Sequence, residues 1–217
     1  MDIEIARGKM LGQQVRAWEV LDPTVLDVLG SLPREAFVPE RYRNLAFADT
    51  QVPLGHGELM MTPKVEGRML QALALKRSDR VLEIGTGSGF VTACLARLGG
   101  SVVSWEIEPE FSARAGACLT RFGIGNATLE TRDGSVLPSE APRFDAICVT
   151  GSLPELHPSF TQRLAVGGRL FAVVGTSPVM EARLITRVAE DGFAAETLFE
   201  TDLPALRNAQ RSSRFAF

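Results

Sequence analysis

The stretch Val81–Phe90, "VLEIGTGSGF", decides the fold. Val81, Leu82 and Ile84 make a short apolar run of the kind that forms a buried strand. Gly85, Gly87 and Gly89 follow at alternate positions, and Phe90 opens a helical pattern. Glycines at such a turn let the chain run tight and let the backbone approach a ligand closely. Two common versions of this turn are excluded. G-x-G-x-x-G beginning at Gly85 needs a glycine at 90, which is Phe90, and no Gly-Lys-Ser/Thr follows for a phosphate-binding loop. The form present is E-x-G-x-G-x-G, from Glu83 to Gly89.

Outward from this turn the chain alternates strand and helix. "SGFVTACLARLGG" reads as a helix stopped by Gly99-Gly100, "SVVSWEIEP" as a strand and "PEFSARAGACLTRFG" as a helix. "NATLETRDGS" and "RFDAICVTGS" read as strands, "LHPSFTQRLAVGG" as a helix with a Gly-Gly stop, and "RLFAVVGT" as a strand. "VMEARLITRVAEDGFAAETLFETDL" turns at Glu190-Asp191-Gly192, which predicts a closing antiparallel hairpin. Such alternation implies parallel pairing with right-handed crossovers, hence an α/β, doubly wound, mostly parallel sheet with an antiparallel edge. Before it, "ARGKMLGQQVRAWEVL" and "DPTVLDVLGSL" have helical spacing. Residues 32 to 62 read as proline-punctuated irregular chain with short helical turns. "TPKVEGRMLQALAL" restarts a helix, with Thr62 as cap and Val65, Met69, Leu70 and Leu73 on one face. The organisation expected is a helical cap and substrate-side loop over 1–78, an α/β core over 79–201 and a tail over 202–217.

With 217 residues and 45% hydrophobic content, the chain can bury one sizeable core. Its net charge of −3 gives no electrostatic reason to expect nucleic acid or an anionic membrane as partner. Arg207, Arg211 and Arg214 stand in "RNAQRSSRFAF" without a nearby acid and read as a solvated end. No stretch is long and apolar enough to span a bilayer, and "MDIEIARGKM" is not a secretory leader. Cys94, Cys118 and Cys148 form no C-x-x-C, so no metal site is expected and the thiols read as free, in a cytoplasmic setting.

The E-x-G-x-G-x-G turn resembles the first motif of class I S-adenosylmethionine-dependent methyltransferases. Two further features fall in order: Glu106 at the end of the next strand, and Asp133-Gly134 after the strand beyond it. The resemblance implies a Rossmann-like sheet of seven strands and S-adenosyl-L-methionine as cofactor, left as S-adenosyl-L-homocysteine. It implies that Glu106 accepts both ribose hydroxyls and that Asp133 and Gly134 meet the adenine. The full cofactor set it implies is Glu83, Gly85, Thr86, Gly87, Ser88, Gly89, Glu106, Ile107, Asp133, Gly134 and Thr150. For Glu83 two roles stay open: holding the glycine loop, or approaching the methionine end of the cofactor.

"PREAFVPE" and "LGHG", with "RDGS", "FDAICVTGSLPEL" and "LAVGGRLFAVVG", are similar to the protein-L-isoaspartate O-methyltransferase family over nearly the whole chain. This implies an isoaspartyl protein or peptide as acceptor, whose carboxylate takes the sulfonium methyl. A carboxylate is already ionised at neutral pH, so no general base is required. The ester then closes to a succinimide unaided.

The acceptor side departs from the family. Where typical members read Gln-Thr-Ile-Ser-Gln-Pro, with the serine hydroxyl beside the transfer site, this chain has Glu58-Leu59-Met60-Met61-Thr62-Pro63. Met61 takes the hydroxyl position and has no donor. Thr62 is one position late, with its hydroxyl expected to cap the helix. His56 either orients an acceptor or holds the turn between Gly55 and Gly57. His56, Met61 and Thr62 are therefore the acceptor-side candidates. The family's terminal Val-Pro-Leu is replaced by Leu203-Pro204-Ala205. Two alternatives stay open: transfer to a different carboxylate or hydroxyl acceptor, or cofactor binding without catalysis. The sequence does not set the oligomeric state.

Overall fold

A computed structural model of the protein describes residues 2–210. The first helix, α1 (Ile3–Met10), is capped by Asp2, whose carboxylate accepts from the N–H groups of Glu4 and Ile5. It runs on through two irregular turns and stops at Glu19, which adopts a left-handed conformation. The next helix, α2 (Pro23–Ser31), starts as read from Asp-Pro: Asp22 accepts from Thr24 and Val25 and Pro23 takes the first helical position.

The stretch read as irregular chain contains two of the short helical turns expected there, Arg34–Ala36 and Glu40–Leu45, and one element the sequence did not predict. This is a small antiparallel hairpin, β1 (Val52–Gly55) and β2 (Glu58–Met60). Its turn is Gly55-His56-Gly57, all three with positive φ. Then comes α3 (Pro63–Leu73), which buries Val65, Met69, Leu70 and Leu73 as expected.

The core elements follow as β3 (Arg80–Ile84), α4 (Phe90–Leu98), β4 (Ser101–Glu106), α5 (Pro109–Arg121), β5 (Ala127–Thr131), β6 (Phe144–Leu153), α6 (Pro158–Gln162), β7 (Leu164–Thr176), β8 (Val179–Ala189) and β9 (Gly192–Thr201). The last seven strands form one sheet in the order β5-β4-β3-β6-β7-β8-β9. Pairing is parallel from β5 through β7 and antiparallel for β7-β8 and β8-β9. The predicted doubly wound sheet with an antiparallel edge is what forms.

One helix is shorter than predicted. In "LHPSFTQRLAVGG" only Pro158–Gln162 is helical, and Leu164 already pairs with Phe144. Gly167 takes a φ of +82°, and a Cβ on Gly168 would lie 2.8 Å from the Ala165 carbonyl oxygen. These glycines make an irregularity inside β7, where Ala146 next pairs with Arg169, rather than a helix stop.

The N-terminal helices do not fold around a core of their own. Met10, Val15, Val20 and Leu29 belong to the same buried cluster as Val81, Phe90, Cys94 and Phe171. The cap therefore sits on one face of the sheet. The other face carries a second cluster around Leu82, Trp105, Ile147 and Phe160. Of the thiols, Cys94 and Cys148 are buried, Cys118 is half-buried, and all are free. No helix among the described residues is long and apolar enough to cross a membrane.

Candidate active site

Strand order reverses at β3: β4 lies on one side and β6 on the other. A crevice opens at such a switch point, beyond the C-terminal ends of the strands. Here it is a concave cleft open to solvent, the usual form of a small-molecule site. Gly85, Thr86, Gly87 and Ser88 line it from the loop after β3, Glu106 and Ile107 from the end of β4, Asp133 and Gly134 from the loop after β5, and Thr150 from β6.

The loop geometry explains its glycines. Gly85 has a φ of +95°, and a Cβ there would meet Thr150 Oγ1 at 2.4 Å. The Thr150 hydroxyl donates to the carbonyls of Ile84 and Gly85 and pins the start of the turn. Glu106 is buried without a cation among the described residues. Its Oε2 accepts from the Gly87 N–H at 2.8 Å and its Oε1 from the Glu108 N–H at 2.9 Å. Asp133 accepts from the Ser135 N–H and from Asn208 Nδ2, each at 2.8 Å. Burial raises the Asp133 carboxyl, but these hydrogen bonds outweigh it and hold the group below its usual range. Trp105 also lines the cleft, with Arg132 stacked 4.0 Å from its ring centroid and its indole N–H buried without a partner.

Two residues assigned to the cofactor lie elsewhere. Glu83 is fully buried behind the loop and does not line the cleft. Its Oε2 accepts from the hydroxyls of Thr92 (2.5 Å) and Ser104 (2.6 Å), and Ser104 shares a hydrogen bond with Thr86. Burial pushes the Glu83 carboxyl up to about 8, with the nearby Glu106 charge adding to the effect. Gly89 caps α4, where a Cβ would lie 2.8 Å from that of Ala115, so it lets α4 and α5 pack closely.

On the opposite wall the acceptor-side candidates separate. Met61 is 4% exposed and lines the cleft beside Met60 and Leu59. Thr62 does not line it. Thr62 stands at the helix cap position, but its hydroxyl makes no capping bond and is buried without a partner. His56 is not in the cleft either. Its Nε2 lies 2.9 Å from Glu110 Oε2 and its Nδ1 3.6 Å from Glu108, at the rim, and the hydrogen bond lowers the Glu110 carboxyl. The reason is the turn: with three successive positive-φ residues, the imidazole projects outward over Phe111.

Several site residues carried no readable sequence signal. Arg34, 1% exposed, donates to both oxygens of fully buried Glu66 at 3.0 Å and to the carbonyls of Ala46 and Met61. Burial nonetheless raises Glu66, which lines the cleft. The tail supplies a strap. Ser152 donates through its N–H to Pro204 and through its hydroxyl to Leu203, and the Leu206 N–H returns to Ser152. Leu206 packs over Gly85 and Gly151. Arg207, read as a solvated charge, instead reaches Glu58 Oε1 (2.9 Å), Glu108 Oε2 (3.3 Å) and the His56 carbonyl (3.1 Å). Arg211 and Arg214 lie outside the described residues.

The family model for protein-L-isoaspartate(D-aspartate) O-methyltransferase matches residues 6–202. The chain belongs to that family. Protein-L-isoaspartate O-methyltransferase 1 of Rhodopseudomonas palustris (strain HaA2) is 41% identical over 194 residues, 88% of this chain and 79% of that one. The enzyme of the same name from Anaeromyxobacter sp. (strain Fw109-5) is 41% identical over 188 residues, 86% and 89% of the two chains. Among solved structures, a Plasmodium falciparum structure described as a family member in complex with S-adenosyl-L-homocysteine superposes with a TM-score of 0.78. It is 20% identical, covering 92% of this chain and 97% of that one. At that identity the likeness carries the fold. The family's sheet and cap are thus present here, with Met61 and Arg207 both lining the cleft.

Proposed function

We propose that this chain transfers a methyl group from S-adenosyl-L-methionine to the isoaspartyl carboxylate of damaged proteins or peptides. The observation that carries the reading is the convergence on one cleft of two walls. One is the glycine loop with Glu106. The other is the hairpin end at Met60-Met61 with the strap Pro204–Arg207.

The residues present fit the cofactor. Gly85 and Gly87 take positive φ where a Cβ would crowd Thr150 and Leu54, so the cleft meets bare loop backbone there, and Glu106 is a buried carboxylate without a cation to neutralise it among the described residues. In this reading Glu106 receives the ribose hydroxyls, and Asp133 and Gly134 flank the adenine. Gly85–Ser88 and Ile107 enclose the rest, with Thr150 fixing the loop. When bound, the group supplies an electrophilic methyl on a sulfonium. The chain then has to align the acceptor and exclude water, which lowers the barrier without proton transfer. His56 stands at the rim rather than in the cleft, and an ionised carboxylate needs no base there. Glu83 serves the loop from behind.

The three free thiols fit a reducing cytoplasm, and the net charge of −3 fits a peptide acceptor better than nucleic acid or membrane. The same reading keeps residues 1–78 as cap, 79–201 as cofactor core and 202–217 as tail, although cap and core share one hydrophobic cluster.

The test is transfer of labelled methyl to an isoaspartyl peptide beside its normal aspartyl twin. Base-labile label on the isoaspartyl form alone is expected. Cofactor binding without such label would send the search to another carboxylate or hydroxyl acceptor.

A further inference from the structure

We infer that Arg207 receives the acceptor's carboxylate, in place of the side-chain hydroxyl that Met61 lacks. The assignment rests on the carboxyl-transfer reading above.

An anionic acceptor that enters this cleft loses hydration and needs a hydrogen-bond donor in return. The wall where it enters offers apolar side chains, Leu59, Met60, Met61, Pro204 and Leu206, and the carboxylates of Glu58 and Glu66, none of them a donor to an ionised carboxylate. The hydroxyls that line the cleft belong to the donor half, on Thr86, Ser88, Ser135 and Thr150. Of the cleft-lining cations among the described residues, Arg132 lies across the site, stacked on Trp105 and reaching Glu130. Arg207 is the other, and it sits at the end of the strap against the hairpin.

Its surroundings hold the guanidinium fork without exhausting it. A guanidinium has five N–H donors. Nε donates to Glu58, one terminal nitrogen to Glu108 and the other to the His56 carbonyl. One N–H on each terminal nitrogen is left over among the described residues, a donor for an incoming carboxylate oxygen. Glu58 and Glu108 keep Arg207 firmly charged, the Glu58 hydrogen bond most of all. They also compete with an incoming carboxylate for the same cation.

This competition separates a receptor from a strap fastener. If Arg207 only ties the tail to the hairpin, deleting either end of the Arg207–Glu58 pair loosens the same strap and both variants lose acceptor affinity. If Arg207 receives the acceptor, the two deletions act in opposite directions.

The experiment is steady-state methyl transfer to one isoaspartyl peptide by the full chain and by Arg207→Gln, Arg207→Lys and Glu58→Gln. Calorimetry with S-adenosyl-L-homocysteine on each variant checks the donor half. Arg207→Gln is expected to raise KM about ten- to hundredfold, the worth of a charge-assisted pair, with a smaller change in kcat. Arg207→Lys should fall between, and Glu58→Gln should lower KM. An unchanged KM in Arg207→Gln, or a KM raised by both Gln variants, overturns the assignment while wild-type turnover keeps the functional reading. No isoaspartyl turnover by the wild-type chain overturns both.

Discussion

The Gly87 N–H donates to Glu106 Oε2 at 2.8 Å, so the glycine loop after β3 hangs on a carboxylate at the end of β4. The other oxygen takes the Glu108 N–H. Each oxygen keeps a second lone pair, and the buried carboxylate has no counter-ion among the described residues. Glu106→Ala removes both loop anchors and the proposed ribose contact together. Cofactor affinity should fall by about 1–3 kcal/mol, the range for hydrogen bonds to a charged group. Calorimetry with S-adenosyl-L-homocysteine measures this, and an unchanged affinity would show that the ribose lies elsewhere.

Glu83 gives the protein a pH dependence of unusual sign. Burial holds its folded carboxyl near 8, against an ordinary value of 4.5. Between those values the folded state binds the extra proton and the unfolded state does not. Stability from this group is therefore fully present below about pH 4.5, falls as pH rises through the window, and levels off above about 8. A shift of this size corresponds to on the order of 5 kcal/mol. Glu83→Gln stays neutral throughout. Urea midpoints at several pH values should fall more steeply toward pH 8 in the wild type than in the variant. Parallel curves would mean that Glu83 ionises normally.

Arg34 joins three pieces of the cap: the Ala46 carbonyl, the Met61 carbonyl and Glu66 on α3. Its guanidinium carbon also lies 5.5 Å from the Phe90 ring centroid, at the start of α4. Arg34→Met would strand a buried carboxylate and two carbonyls, so a loss of about 3–5 kcal/mol is expected in chemical denaturation. Adding Glu66→Met should recover much of it, because a buried pair is worth little over apolar side chains of similar volume. If the double variant is as unstable as the single one, the two carbonyls rather than the ion pair carry the cost.

The sheet and its glycine loop were legible because their cause is local. Buried strands are apolar runs, and the turn needs glycine where Thr150 and Leu54 crowd it. The edge hairpin was legible from Asp191-Gly192. The hairpin at Val52–Met60 was not, because its strands have four and three residues and one contains Pro53. The acceptor wall was the least legible part. Arg34 meets Glu66 across 32 positions, and Arg207 meets Glu58 across 149 and Glu108 across 99. A spacing rule reaches three or four residues along a helix, so such pairs leave no local trace. His56 carried two readings in the sequence, an acceptor contact or a hold on the turn, and the positive-φ turn aims it at Glu110.

Met61 lines the cleft at the position where the sequence resemblance implies a serine hydroxyl, and it is buried. Its own carbonyl is held by Arg34 at 2.6 Å, which fixes the backbone on which a replacement side chain would stand. Met61→Ser therefore places a hydroxyl at a defined point of the acceptor wall and removes most of a packed side chain. The removal should cost about 2–4 kcal/mol, as for other large-to-small core changes. The hydroxyl should raise kcat/KM for an isoaspartyl peptide, because it adds a donor next to a carboxylate that otherwise depends on Arg207. A folded, cofactor-binding Met61→Ser protein that is no faster than the wild type would mean that the thioether site is already complete without the hydroxyl.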